Sequence, residues 1–248
     1  MGDSVGLDKR QLTHRDMWER KGALRELYRD YHRQLLETCP QGSVLDLGGG
    51  TAHIKESAPS VISADILCFP GIDVVADAHH LPFKDQCLAG IVMLDVLHHL
   101  ERPLEFLKEA SRVLRRGGRL AMIEPAMTSL ARRFYERFHE EPVDMDADPF
   151  GPVEISPNRD PFDANQAIPT LLFATAGARR RVEQQIPSLR VRHVEWHSLF
   201  AYPMSGGFQS WSLIPGALVK PMLAFEQSLP MAIRRHIAFR MTIVIDRV

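Results

Sequence analysis

Between residues 24 and 35 the apolar side chains fall at Leu24, Leu27, Tyr28, Tyr31 and Leu35, the spacing of one face of a helix. Thr13 followed by Asp16 predicts the start of that helix, and Pro40 its end. From residue 43 the helical period is lost. Short apolar runs replace it: SVLDL from Ser43 to Leu47, VISAD at 61–65, IDVVAD at 72–77, GIVMLD at 90–95 and RLAMIEP at 119–125. The run at 90–95 is apolar up to its final acid, as a strand buried on both faces is. A second helical pattern separates the last two runs, with Pro103 at its start, Leu104, Leu107, Ala110 and Leu114 on one face, and Gly117 and Gly118 after it. Strands alternating with helices over residues 43–124 predict an α/β protein with a doubly wound parallel sheet.

The first strand runs into three consecutive glycines, Gly48, Gly49 and Gly50. Glycine lets the backbone approach a ligand and take positive φ, and in open α/β sheets ligands lie at the carboxyl ends of the strands. Only Thr51 to Ala58 separates this turn from the second strand, so the connecting helix must be brief. The second strand ends in Asp65, whose two carboxylate oxygens can accept from two vicinal ribose hydroxyls. Asp77 ends the third strand, where its carboxylate could take an adenine amino group while the Ala78 N–H donates to a ring nitrogen.

DLGGGTA, the strand-end Asp65, the DAxxLPFxD segment at 77–85, LDVLHHL after the fourth strand and the helix followed by LRRGGRLAMIEP together resemble class I S-adenosylmethionine-dependent methyltransferases of the small-molecule, type 11-like kind. The resemblance covers about a third of the chain. It implies a Rossmann-like, mostly parallel sheet of seven strands with the last antiparallel; MTIVID at 241–246 suits that strand and VRHVEW at 191–196 the one before it. It also implies S-adenosyl-L-methionine as cofactor, held by Asp46, Gly48, Gly49, Gly50, Asp65, Ile66, Asp77, Ala78 and Asp95. Asp46 would orient the methionine end through the glycine turn. Ala52 stands where the family often has a further glycine.

A nicotinamide dehydrogenase shares the fold and the ribose acid. Its fingerprint needs a third glycine where this chain has His53, and its pyrophosphate needs a full helix, which the short 51–58 segment does not supply. Methylation of nucleic-acid amines usually goes with an Asn/Asp-Pro-Pro-aromatic motif after the fourth strand, whereas this chain reads Leu94, Asp95, Val96, Leu97. With Lys+Arg 30 against Asp+Glu 31, bulk charge offers no argument for a nucleic-acid or anionic-membrane partner.

Methyl transfer from a sulfonium mainly requires alignment; a hydroxyl nucleophile also needs a base, while a neutral amine does not. His98 and His99 follow the fourth strand, and His139 with Glu140 and Glu141 opens an insertion. His98 and His139 are the catalytic candidates. For His98 a cleft-lining role stands ahead of a general base, and for His139 the base and the bystander weigh alike. The activity expected is methyl transfer to a small-molecule or lipid- or glycan-linked acceptor, to oxygen ahead of nitrogen. A methyltransferase of small amines and a catalytically silent cofactor-binding partner subunit are the alternatives.

Four parts follow: an amino-terminal helical segment at 1–40, a cofactor-binding core at 41–125, an insertion at 126–187, and 188–248, which closes the sheet around a second insertion at 197–237. The first insertion opens with the helical ARRFYERFHEE, continues through a proline- and acid-rich stretch that reads as a substrate lid, and turns helical again from Ile168. Asp144, Asp146 and Asp148 lack the glycine and terminal glutamate of a calcium loop, so no metal is expected. Phe200, Tyr202, Phe208, Trp211 and Phe225 make the second insertion apolar, as core, as a cover over the acceptor, or as a shallow membrane contact. The uncharged run at 199–219 is too broken by proline and glycine to span a membrane, and the amino terminus has no signal-peptide pattern. Cys39, Cys68 and Cys87 lack CxxC spacing and fit a reducing compartment, with cytosol the default.

Overall fold

The computed structural model describes residues 7–139, 141–153 and 159–248. Seven strands form one sheet: β1 (Val44–Leu47), β2 (Ile62–Asp65), β3 (Val74–Val75), β4 (Leu88–Leu94), β5 (Leu114–Pro125), β6 (Leu189–His197) and β7 (Arg240–Arg247). Their order across the sheet is β3-β2-β1-β4-β5-β7-β6, parallel from β3 to β5, with β7 antiparallel to both neighbours. The expected doubly wound, mostly parallel seven-stranded sheet is therefore present.

Period-two alternation decides what each face of the sheet receives. Ile91, Met93, Leu120 and Met122 point into a core shared with α3 (Pro103–Val113) and with two helices of the first insertion. Val92, Ala121 and Ile123 point to the other face, where Leu24, Leu27, Tyr31 and Leu35 of the second amino-terminal helix bury fully. Burying each such side chain contributes roughly 1.5–3 kcal/mol.

The single helix expected from Thr13 is two: α1 (Lys9–Arg20) and α2 (Gly22–Thr38). Asp8 caps α1 by accepting from the Arg10 N–H at 2.8 Å, and the chain breaks at Lys21, where φ −100 and ψ 99 are extended. Thr13 lies inside α1, its hydroxyl returned to the Lys9 carbonyl at 3.0 Å. Lys21 drives its ammonium into the second insertion, onto the Gly207 and Gln209 carbonyls. The connection after the glycines is the expected short one, a single 3₁₀ turn at His53–Glu56.

The first insertion begins with α4 (Ser129–Phe138), and its later helical run is divided into α5 (Ile168–Phe173) and α6 (Ala176–Gln185), because Thr175 is extended and caps the second by accepting from the Ala178 N–H. Glu140 and residues 154–158 of the expected lid lie outside the described residues. The second insertion folds onto α2 through α7 (Ala201–Ser205) and α8 (Val219–Ser228), whereas α9 (Met231–Ile237) packs against α4, β6 and the core on the other face. Ala201, Ile214, Val219 and Leu223 join the α2 core, so part of this apolar run is ordinary packing. Among the described residues no helix is long and apolar enough to cross a membrane.

Candidate cofactor and acceptor site

The Gly48 and Gly49 N–H groups both donate to the Ala64 carbonyl, at 2.8 and 3.0 Å, lacing the turn after β1 to β2. Side chains have no room there. A Cβ on Gly48, whose φ is +75, would lie 2.3 Å from Val96, and one on Gly49 would lie 2.1 Å from the Ser63 hydroxyl. Gly50 is different: a Cβ there would meet no atom within 4 Å, so its backbone borders open space. Asp46 sits beneath the turn, buried, with Oδ2 accepting from the Ser63 hydroxyl at 3.0 Å, and burial pushes its carboxyl up to about 7. It supports the glycines from below.

Asp65 Oδ2 accepts from the Gly50 N–H and Oδ1 from the Leu67 N–H, both at 2.8 Å. Burial raises this carboxyl above its ordinary range despite those bonds. With the Ile66 N–H also directed at this carboxylate, about one of its four lone-pair sites stays free. Ile66 beside it is 53 % exposed, large for an isoleucine at a strand end. Asp77 is more committed: its Oδ1 takes the His79 N–H at 2.9 Å and the His79 ring at 2.6 Å. Burial works against its charge, but those bonds outweigh it and hold the carboxyl low. Ala78 is buried. Over the turn lies α1, with Gln11 reaching the Gly50 carbonyl at 3.5 Å and Trp18 stacked on His53 at 3.9 Å while donating to Glu56.

A second group of polar side chains occupies the same carboxyl edge of the sheet. Asp95, after β4, has φ +60, a left-handed conformation that aspartate tolerates better than most residues. Its carboxylate is taken by the buried Arg240 guanidinium, from the first residue of β7, and by the Tyr28 hydroxyl at 2.9 Å. Burial raises the Asp95 carboxyl in spite of Arg240. The guanidinium also lies over the Tyr202 ring at 3.9 Å, and its Nε is buried without a partner. Asp95 is thus held within the protein on the α2 side, by partners the sequence did not reveal.

His98 is 3 % exposed and lies between two acids. Its Nδ1 faces Glu124 at 2.7 Å, and its Nε2 faces Glu141 at 3.5 Å. Burial alone would lower this ring, but the two carboxylates outweigh it and raise it to about 10. An imidazolium at neutral pH has no lone pair to offer, which argues against His98 as a general base. Glu124 itself is fully buried and accepts from the Val96 and Leu97 N–H groups at 2.9 and 2.7 Å. His99 is the opposite case. Burial, with His98 beside it, pushes the ring down to about 4, and its Nδ1 is buried with no partner.

His139 caps the end of α4, packing edge-on against Tyr135 at 5.2 Å. Burial lowers its pKa, so the ring is neutral, and Nδ1 accepts from the Glu141 N–H at 3.2 Å. The lone pair is committed there and the proton falls to Nε2, which suits a donor better than a base.

Sequence reading missed Glu124, Arg240 and Gln11. Glu124 had a signal, since Asp46, Asp65, Asp77 and Asp95 already mark a run of acids at strand ends. Arg240 and Gln11 had none. Both insertions touch α1: Arg10 pairs with Asp160 at 2.8 Å and lies over the Phe162 ring at 3.8 Å, while His14 stacks on Phe208 at 4.4 Å.

Comparison with known proteins bears on this geometry. Residues 45–122 match the family model described as a methyltransferase domain. A Mus musculus protein named "Probable tRNA methyltransferase 9B" is 34 % identical over 116 residues, covering 41 % of this chain and 26 % of that one. The chain thus spans about a quarter of the length of that relative. A Thermotoga maritima S-adenosylmethionine-dependent methyltransferase, described as a possible histamine N-methyltransferase, superimposes with a TM-score of 0.57 at 16 % identity, over 97 % of this chain and 98 % of the other. One from Archaeoglobus fulgidus gives 0.51 at 16 % identity over 90 % and 94 %. Residues 45–122 thus match a methyltransferase domain, within a chain that shares the seven-stranded fold of these S-adenosylmethionine-dependent methyltransferases.

Proposed function

We propose that the chain transfers a methyl group from S-adenosylmethionine to a hydroxyl oxygen of a small-molecule or lipid-linked acceptor. The observation that carries the reading is the open backbone at Gly50 beside a strand-end carboxylate with a lone pair to spare, where the two preceding glycines are packed shut. These residues fit an adenosyl group: Asp65 would take the ribose hydroxyls, Ile66 would lie against the base, and Asp77 with Ala78 would take the base edge through Asp77 Oδ2, which has the His80 ring at 3.8 Å. Asp46 would hold the turn for the methionine end. The cofactor supplies a methyl group already activated by a sulfonium. The chain supplies alignment, exclusion of water by α1, and polar groups on the acceptor side.

Oxygen transfer is supported by the neutral His99 ring with its free Nδ1 lone pair, next to Glu141. The residues at 126–187 act as the acceptor lid, since Glu141 and Phe162 reach the site from it. Trp211, Leu213, Leu218 and Phe225 are exposed on the segment that also supplies Phe208, and offer apolar surface to a lipophilic acceptor or a membrane face. RNA is a second acceptor class, favoured only by the named tRNA methyltransferase relatives; their similarity lies within 41 % of this chain, and the chain's net charge of −1 does not favour it.

Calorimetry should give S-adenosylmethionine binding that weakens at least tenfold in Asp65→Ala with the fold intact, since hydrogen bonds to a charged group contribute about 1.5–3 kcal/mol. Unchanged affinity in the folded variant would refute the ribose assignment. Labelled S-adenosylmethionine with fractionated cell extract should label lipid or small-molecule fractions. Label confined to RNA would establish the second class, and binding without transfer to any fraction would leave a silent cofactor-binding subunit.

A further inference from the structure

We infer that His98, His99 and Glu141 form a site for one divalent transition-metal ion of the zinc type. Ring nitrogens of the two histidines and a Glu141 carboxylate oxygen lie within 4.8 Å of one another. The His98 Nε2 to Glu141 Oε2 distance is 3.5 Å. Two ligands at about 2.0–2.1 Å from a tetrahedral ion lie about 3.3–3.4 Å apart, so little movement is needed.

The outward nitrogen of His98 is already fixed as it is around bound metals. In such sites a ligating histidine gives its other N–H to a carboxylate or a backbone carbonyl, which sets the tautomer and aims the remaining lone pair. His98 Nδ1 faces the buried Glu124 carboxylate at 2.7 Å, leaving Nε2 toward Glu141. His99 Nδ1 is buried with no partner, and the Asp163 backbone lies near the ring and favours its protonated form. A buried imidazole nitrogen with no partner is costly unless something fills the place. Glu141 is steadied in turn by the Gln166 amide.

The alternative grouping of Asp95, His98 and Glu124 is weaker. Asp95 is spent on Arg240 and Tyr28, and Glu124 on two backbone N–H groups and His98. Two histidines and one glutamate are the ligand set of zinc sites that keep a coordination position open. That position would receive an acceptor oxygen and lower its pKa. This last role rests on the proposed oxygen transfer; binding of the ion does not.

The test uses the full chain, stripped with chelator and titrated with zinc chloride by calorimetry at pH 7.5, with cobalt(II) as a spectroscopic probe. One equivalent should bind, giving the visible bands of a four- or five-coordinate cobalt site. His99→Gln and Glu141→Gln should each weaken binding at least tenfold, and Glu124→Gln by 10–100-fold, the usual loss for an outer partner. The surface variant His193→Gln should bind as wild type. Circular dichroism and S-adenosylmethionine titration on the same preparations keep the arms apart. Cofactor binding without stoichiometric zinc, or zinc binding unchanged in both ligand variants, overturns the metal site and leaves the methyltransferase reading standing. Zinc binding without cofactor binding does the reverse.

Discussion

The buried ring of His98 should make stability depend on pH in a way that Glu124→Gln removes. Glu124 Oε1 accepts from Val96 and Leu97, and Oε2 faces the ring at 2.7 Å. Glutamine keeps the two backbone acceptances through its oxygen, but turns an NH2 donor toward the ring and so loses both the charge and the acceptor for the His98 Nδ1–H. In the metal-free protein the ring rises from 6.5 to about 10. At about 1.4 kcal/mol per pKa unit that corresponds to about 5 kcal/mol of linkage, close to the 3–5 kcal/mol lost when a buried pair is broken. Glu141 remains in the variant, so about 2–3 kcal/mol is expected from the lost charge and hydrogen bond of Glu124. Because the folded-state pKa is raised, this stabilisation is fully present below 6.5 and is lost as pH climbs through about 10. The carboxylates are depressed, Glu141 to about 2, so their share is present above 4.5 and lost as pH falls. Urea denaturation in chelator should therefore separate wild type from variant by about 2–3 kcal/mol near pH 6, with the gap closing towards pH 10. A gap that does not change with pH, or a His98 proton resonance titrating near 6.5, would refute the reasoning.

Gly49→Ala places a Cβ 2.1 Å from the Ser63 hydroxyl and 2.8 Å from Asp46 Oδ2, and should cost about 1–3 kcal/mol in denaturation as well as cofactor affinity. Gly50→Ala has free space but φ +54; it should lose about 1–2 kcal/mol from that conformation alone, and more affinity than stability when titrated with S-adenosylmethionine. Ala52 holds φ 58, so Ala52→Gly should raise stability by up to about 1 kcal/mol once glycine's greater unfolded-state entropy is subtracted, read as a higher denaturation midpoint. Tyr28→Phe leaves the half-buried Asp95 Oδ2 with Arg240 alone and should cost about 1 kcal/mol.

The cofactor half of the site was legible because its parts are local. The turn after β1 and the acid ending β2 meet across 15 residues, in the Gly50 to Asp65 hydrogen bond, and a single βαβ pattern places both. The φ of 58 at Ala52 gives a physical cause for the further glycine that the resemblance implies at this position, a cause the sequence does not show. Helix boundaries were less legible. The apolar stripe of α2 says nothing of the break at Lys21, which exists because that ammonium is drawn to carbonyls 186 and 188 residues away. The strands of the sheet's far edge were found from their apolar runs, and their antiparallel pairing came from resemblance.

The acceptor half is assembled from segments that only the fold brings together. Asp95 and Arg240 are 145 residues apart, and nothing near either one signals the other. The effect on chemical assignment is largest for the histidines. A histidine after a strand can be base, ligand or counter-ion, and the choice is made by whatever stands opposite its two nitrogens. For His98 those partners are Glu124, 26 residues on, and Glu141, so the ring holds its proton until a competing cation displaces it. For His139 the neighbouring Glu141 N–H takes the lone pair. His99, adjacent to His98 in sequence and indistinguishable from it by pattern, keeps a free Nδ1. Any histidine-assisted deprotonation of an acceptor hydroxyl at this edge therefore runs through His99 and its neighbour Glu141, directly or through an ion they hold, and replacing His99 should slow transfer to oxygen far more than it weakens binding of the cofactor.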